Sequence, residues 1–432
     1  MKFSPLRLLT DDFPRRAYVP SHSATLESVT VKGLHFGQRK LLLSEIEFLS
    51  AYLEAPKASD KPLLVVYAGA ANGSHLPFLF GLFEKVKFVL IDPASFCAKV
   101  REIAKDGEGP VLELVEGYCT DELCLRLSRL YGSVYDILLV SDIRSGEPLT
   151  QSNKENTAMI MRDNEMQRSW CSSLKARAAL LKFHPPYPRC KDATSRYYDS
   201  ADDTPDSVEY MDGSRLFGVW APKSSSEVRL CVEGPFLSSA KVPMRQYDCT
   251  VHEEQCYFYN TEDRYARDCV AERDILSRYL KANPGAYPDG VVSFSNDISK
   301  FLQFPLFVPL EPSFTETEAR WVTLLYSTRD PKCLEWVEPL RGLMTLDVIR
   351  DLAKRYHDER SVPSDVTVGA VALSRDFWRV MCAGDLTEAY GLPRIRWRFA
   401  PQIVSHGGKR PRSLRVSRCL TPSLQNVNAL KE

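Results

Sequence analysis

Between Leu63 and Phe183 the chain carries short apolar runs separated by amphipathic stretches: LLVVYA (63–68), KFVLID (87–92), DILLVSD (136–142) and AALLKF (178–183). A six-residue run with no polar face has nowhere to turn towards water, so both faces must be covered. Strand-length runs alternating with helical ones give a parallel sheet with helices on either side, an α/β fold. The intervening helices are read at HLPFLFGLFEK, at DELCLRLSRLYG and from about Asn156 to Leu174. After about Leu216 the runs become more polar (FGVWAP, SEVRLCVE, CYFYN), which suits antiparallel edge strands closing the sheet, and a helix follows from about Glu262 to Leu280.

With 432 residues, 44% of them hydrophobic, the chain is long enough for two or three domains. Lys+Arg and Asp+Glu both number 56, so a nucleic acid would have to be held by a local basic patch, not by overall charge. The twelve cysteines include no CxxC pair, which points to free thiols in a reducing compartment. No apolar run is long enough to cross a bilayer, and the start MKFSPLRLLTDDFPRR is too polar for a signal peptide, so no membrane partner is expected. The last third reads differently. TLDVIRDLAKRYHDE (345–359) has helical spacing, RIRWRF (394–399) alternates as a strand would, and residues 389–430 hold eight Lys or Arg and no acid. The expected division is an N-terminal segment 1–60, a central domain 61–308 and a C-terminal extension 309–432 with a basic tail.

The first run ends in VVYAGAANGSH (65–75). Gly69 and Gly73 stand at a strand-to-helix turn, where a missing side chain lets a ligand approach the backbone. Asp92, at the end of the next strand, is placed to accept both hydroxyls of a ribose. NAD and S-adenosylmethionine both use that pairing. The dinucleotide pattern GxGxxG is absent, as is the phosphate-binding GxxxxGK[ST]. S-adenosylmethionine has no phosphate to cradle and suits the shorter GxxxG better. On this turn alone, a tight packing turn and a ligand site stand level.

Taken in order, GQRKLLLSEIEFLS (37–50), VVYAGAANGSH (65–75), LIDP (90–93), VSDIRS (140–145), LLKFHPPYP (180–188), SSEVRL (225–230) and SKFLQFP (299–305) resemble the poxvirus family of cap-specific mRNA 2'-O-methyltransferases, also known as small subunits of viral poly(A) polymerase. The resemblance covers roughly Tyr18 to Pro305. It extends to trypanosomatid relatives with appended domains, whose mRNA caps are ribose-methylated on several nucleotides. It implies a Rossmann-like methyltransferase fold, S-adenosyl-L-methionine as cofactor and 5'-capped mRNA as substrate. It also implies a catalytic tetrad of Lys40, Asp142, Lys182 and Glu227.

The chemistry agrees with those residue types. Taking the proton of a ribose hydroxyl needs a base, and a lysine serves only once burial and a second cation lower its ordinary pKa of about 10.4. Lys182 ends an apolar strand and is assigned as that general base, with Lys40 the second cation and Asp142 and Glu227 orienting the amines. Taken singly, a strand-end lysine more often snorkels to solvent; it is the set of four that makes the case. No metal is expected, because the leaving group departs as a neutral thioether. For the cofactor the resemblance implies Gln38, Tyr67, Gly69, Gly73, His75, Asp92, Tyr118, Cys119 and Arg144. Asn72 replaces the family's Pro, and Ala94 replaces an Arg that helps hold the cofactor.

Distinguishing 7-methylguanine from guanine means recognising a cationic base, which two aromatic rings can sandwich while a carboxylate accepts its N–H groups. The resemblance implies Tyr18 and Tyr187 as the rings and Glu253 as the carboxylate; a second acidic position is Arg189 here. The expected function is transfer of a methyl group to a ribose 2'-OH near the cap, at the second transcribed nucleotide. The alternative from a different class is a non-catalytic RNA-binding or polymerase-accessory subunit. A guanine-N7 methyltransferase is disfavoured, since that chemistry needs no general base. The basic GKRPR (408–412) suits a nuclear protein, with the cytoplasm as alternative, and RNA-processing proteins are the expected further partners.

Overall fold

All four apolar runs become neighbouring strands of one sheet in the computed structural model, which describes residues 1–17, 36–56, 59–146, 152–188, 204–221, 225–236, 242–261 and 264–302. Helix α1 (Phe36–Glu54) precedes β1 (Leu63–Ala68), α2 (Leu76–Leu82), β2 (Lys87–Asp92), α3 (Ala98–Lys105) and β3 (Val111–Glu116). Then come α4 (Asp121–Tyr131), β4 (Asp136–Ser141), α5 (Asn153–Leu174) and β5 (Ala178–Phe183). The chain continues through β6 (Ser207–Met211), β7 (Ser214–Phe217), β8 (Val228–Glu233), β9 (Met244–Asp248), α6 (Cys249–Thr261), α7 (Arg264–Ala282) and α8 (Gly290–Phe301).

Seven strands form one sheet in the order β3-β2-β1-β4-β5-β8-β7, while β6 and β9 make a separate antiparallel pair. β1 to β5 run parallel; β8 is antiparallel to both β5 and β7. Every residue of β1 and β4 is buried, as their wholly apolar character requires. This is the Rossmann-like methyltransferase fold with antiparallel edge strands. The chain leaves β1 towards β2 and β3, then returns across it to β4. The order therefore reverses between β1 and β4, and a crevice opens beyond their carboxyl ends.

Two readings of the sequence need correction. CYFYN, which reads as a strand, lies within α6. Its buried faces carry polar groups (His252, Gln255 and Asn260), so the helical period is hidden from a hydrophobicity pattern. FGVWAP is strand only at Phe217, after which the backbone turns and Trp220 adopts a φ of 62°. β3, whose run VLELVE interleaves two glutamates, and the short α3 were not anticipated.

Residues 1–17 strap the first compact unit together, which also holds both sheets and α1. The Ser4 amide donates to Glu47, and the buried Arg7 pairs with Glu47 while its Nε donates to the Phe217 carbonyl at 2.8 Å. Gln255 Nε2 donates to the carbonyls of Thr10, Asp11 and Phe13, and the Arg16 amide to that of Glu254. Helix α8 belongs to the second unit, where Phe294 and Ile298 are buried. The expected helix at 345–359, the strand at 394–399, the basic tail, Tyr18 and Arg189 lie outside the described residues. No described helix is long and apolar enough to cross a membrane.

Candidate active site

Four elements deliver four charged side chains to one place. Lys40 comes from the first turns of α1, Asp142 from the residue after β4, Lys182 from the last turn of the pleat in β5, and Glu227 from the residue before β8. Lys40 Nζ lies 3.0 Å from Glu227 Oε1. Lys182 Nζ lies 3.2 Å from Glu227 Oε2 and 3.2 Å from Asp142 Oδ1. Each lysine side chain keeps a narrow opening, 13% exposed for Lys40 and 14% for Lys182. Gly218 makes room for this: a Cβ there would stand 3.1 Å from Lys40 Cδ.

A fifth charge completes the cluster. Arg229, paired in register with Lys182 across β5 and β8, reaches Asp142 Oδ1 at 2.6 Å and the Ser141 carbonyl at 3.3 Å. It also stands 3.5 Å from Glu227 Oε1, and Arg144 stands 3.7 Å from Glu227 Oε2. Cations therefore outnumber carboxylates. Burial, opposed by Glu227 and reinforced by Arg229, lowers the Lys40 pKa. Burial would raise Asp142, but Arg229, then Lys182 and Lys40, outweigh it and hold the carboxyl at about 2. Glu227 is likewise pulled well below the carboxylate range, since Lys40 and Lys182 overcome the burial that opposes them. Asp142 and Glu227 are thus fixed anions beside two amines.

Beside this cluster lie the residues that the resemblance implies for a cofactor. Gly69 has φ +82°, and a Cβ on it would meet the Asp142 carbonyl carbon at 2.8 Å. Gly73 has φ +72°, so both glycines hold backbone conformations that other residues adopt under strain. Asp92 ends β2 with its carboxylate accepting the amides of Ala71 (2.9 Å) and Ala94 (2.7 Å), which leaves lone pairs for ribose hydroxyls. Tyr118 presents a 78% exposed ring after β3. Beside it Cys119 Sγ contacts Cys124 Sγ at 3.6 Å. These residues fit a nucleoside with a flat base, and Arg144 lines the side nearest Glu227.

Tyr67 and His75 belong to the interior. Both are buried, and both turn to Glu45 on α1: the Tyr67 hydroxyl donates to it at 2.7 Å, and His75 Nε2 lies 3.0 Å from it. His75 Nδ1 lies 2.7 Å from Gln38 Oε1, which also accepts from Ser74 Oγ at 3.0 Å. His75 and Ser74 therefore hold Gln38 from behind, while Tyr67 holds Glu45 beside His75.

Tyr187 stands four residues beyond β5, its ring 4.3 Å from that of His184. Glu253, on α6, is buried with its Oε2 lacking a hydrogen-bond partner, 3.7 Å from His184 Nε2. Burial raises its carboxyl to about 7, with Ser226 pulling the other way. A buried carboxyl oxygen left open beside an aromatic ring can receive a donor from a ligand.

Arg229, Glu45, His184 and Ser226 were not singled out from the sequence. Arg229 had a signal: in SSEVRL it stands two residues from Glu227, on the same face of an otherwise apolar strand. No group of His, Cys, Asp and Glu among the described residues is arranged to hold a metal ion.

The sequence model of the poly A polymerase regulatory subunit family matches residues 21–304. The cap-specific mRNA (nucleoside-2'-O-)-methyltransferase of fowlpox virus (strain NVSL) is 26% identical over 171 residues, 39% of this chain and 52% of that protein. The protein of the same name from myxoma virus (strain Lausanne) is 28% identical over 236 residues, 52% of this chain and 61% of that protein. The chain thus spans between half and two thirds of the length of the curated relatives it matches.

Proposed function

Since the chain belongs to the poly A polymerase regulatory subunit family, we propose that it is a methyltransferase that uses S-adenosylmethionine to methylate a ribose 2'-OH near the 5' cap of mRNA. The observation that carries this reading is the meeting of Lys40, Asp142, Lys182 and Glu227 beside the Gly69 turn. Two lysines and two carboxylates at such distances have no evident use in a surface that only binds RNA.

The cofactor, when bound, supplies an electrophilic methyl group on a sulfonium. Gln38, Gly69, Gly73, Asp92, Tyr118, Cys119 and Arg144 would hold it. Lys182, as the amine, accepts the proton of the 2'-OH at Nζ. Asp142 and Glu227 aim that nitrogen, since each stands 3.2 Å from it and neither changes charge near neutral pH. Arg229 holds Asp142 in place and keeps its own charge, as the two carboxylates outweigh its burial. Tyr187 and Glu253 would receive the 7-methylguanine, with Tyr18 as the second ring.

The family's description as a regulatory subunit favours a second reading, an accessory protein that binds RNA without catalysis. One assay separates the two. Incubating the full chain with radiolabelled S-adenosylmethionine and capped RNAs that differ only in prior ribose methylation should label one of them preferentially, and we expect the second transcribed nucleotide to be the target. No transfer to any of these RNAs, with RNA binding retained, would leave the accessory reading.

A further inference from the structure

We infer that His184 and Ser226 are positioning residues that tie the pocket of Tyr187 and Glu253 to the catalytic carboxylate Glu227, so that binding of a cationic base aligns the cluster for transfer. This rests on the functional reading above and adds to it a route by which recognition reaches chemistry.

The geometry is short and continuous. His184 follows Lys182 by two residues and lies under the Tyr187 ring at 4.3 Å. Its Nδ1 faces the carbonyl of Pro185, so Nδ1 carries the hydrogen and Nε2 is the acceptor. Burial, chiefly, lowers the His184 pKa well below the ordinary range and keeps the ring neutral. Ser226 Oγ then donates to Nε2 at 2.6 Å. Ser226 immediately precedes Glu227, and its carbonyl accepts from His252 Nε2 at 2.8 Å and from Cys256 Sγ at 3.5 Å. Asn260 Nδ2 holds the carbonyl of Ser225 at 2.7 Å.

His252, Cys256 and Asn260 recur every four residues along α6, and Glu253 rides on the same helix. The backbone leading into Glu227 is therefore fastened on one side to the helix that carries Glu253. On the other side it is fastened to the segment that carries Tyr187. A base entering between Tyr187 and Glu253 bears on both attachments, and Glu227 in turn sets Lys40 and Lys182. Glu227 takes part in no contact with the base itself on this account; the effect passes through Ser226.

The test compares Ser226→Ala and Ser226→Thr in the full chain. Turnover is measured on RNA capped with 7-methylguanosine and on RNA capped with unmethylated guanosine. In the wild type the 7-methyl group should raise kcat as well as lower KM, because recognition is used in the transition state. In Ser226→Ala the kcat on methylated caps should fall about tenfold, towards the value for unmethylated caps, since slight misplacement at a reacting centre costs that much or more. The KM for S-adenosylmethionine should stay unchanged, and Ser226→Thr, which keeps the hydroxyl, should restore the kcat difference. His184→Leu, which removes the acceptor and keeps the bulk, should reproduce the Ala result if Ser226→Ala folds poorly. A wild-type kcat ratio in Ser226→Ala or His184→Leu, whatever their melting temperatures, overturns the inference. A wild type that transfers no methyl group defeats the parent reading instead.

Discussion

Arg229 shows how a single residue can decide what its neighbours do. Among the groups around Asp142 it has the largest share in holding that carboxyl at about 2 against its burial. A carboxyl lowered from an ordinary 3.8 on folding stabilises the protein above that value, and the benefit is lost as pH falls through about 2. Asp142 alone should therefore account for about 2 kcal/mol of the stability lost between pH 5 and pH 2 in urea unfolding, with Glu227 adding to that loss. Asp142→Asn should flatten that part of the profile; an unchanged acid limb in the variant would contradict the role given to Asp142. At Lys182 the demand is different, for a base must lose its charge. Lys182→Ala should lower methyl transfer by about a hundredfold or more with cofactor binding unchanged. Lys182→Arg should be equally inactive, because a guanidinium does not deprotonate in this range. That Arg229 joins the cluster could be suspected from SSEVRL, but an arginine on a strand usually reads as surface, and the partner that makes it buried lies 87 residues away. Likewise, spacing alone does not bring Lys40 to Glu227; the order of motifs, read through the family resemblance, does.

At the level of elements, α1 must be held rigidly if Lys40 is to keep its place. Arg39, one residue before, forms a fully buried pair with Glu272 of α7, to which Trp220 Nε1 also donates at 2.6 Å. Removing one partner of such a pair strands the other charge, so Glu272→Leu should cost about 3–5 kcal/mol in urea unfolding. A loss under about 1 kcal/mol would mean that α1 is anchored by its apolar face alone. Helix α6 makes a second demand. Burial raises Glu253 to about 7, so below that pH its carboxyl is neutral. As a carboxylate it is the better acceptor for a cationic base. Binding of 7-methylguanosine-capped RNA, followed by fluorescence titration, should strengthen from pH 5.5 to 7.5, and Glu253→Gln should abolish that rise. The same helix marks the limit of sequence reading. β1 and β4 were legible because burial on both faces leaves nothing but apolar residues. α6 was not, because its inward positions include His252, Gln255 and Asn260, and β3 was not, because Glu113 and Glu116 interrupt its apolar run.

For the whole molecule, zero net charge means that RNA must be attracted locally, and residues 389–430 concentrate eight basic side chains with no acid. We expect reversal of Arg394, Arg396 and Arg398 to Glu to weaken activity on long capped RNA more than on a cap dinucleotide. That difference should shrink as salt screens the contact. An equal loss on both substrates, or none, would mean that this region has no part in holding RNA. The family match covers residues 21–304 and so leaves that tail outside it. Methyl transfer is assigned to the matched part, and its product can be read directly. The full chain is incubated with methyl-labelled S-adenosylmethionine and 7-methylguanosine-capped RNA, and the RNA is then digested to nucleosides. The expected result is label in a 2'-O-methylated nucleoside, and at least about a hundredfold less of it when Lys182→Ala replaces the wild type. Label on a base, or equal labelling by Lys182→Ala, would contradict it.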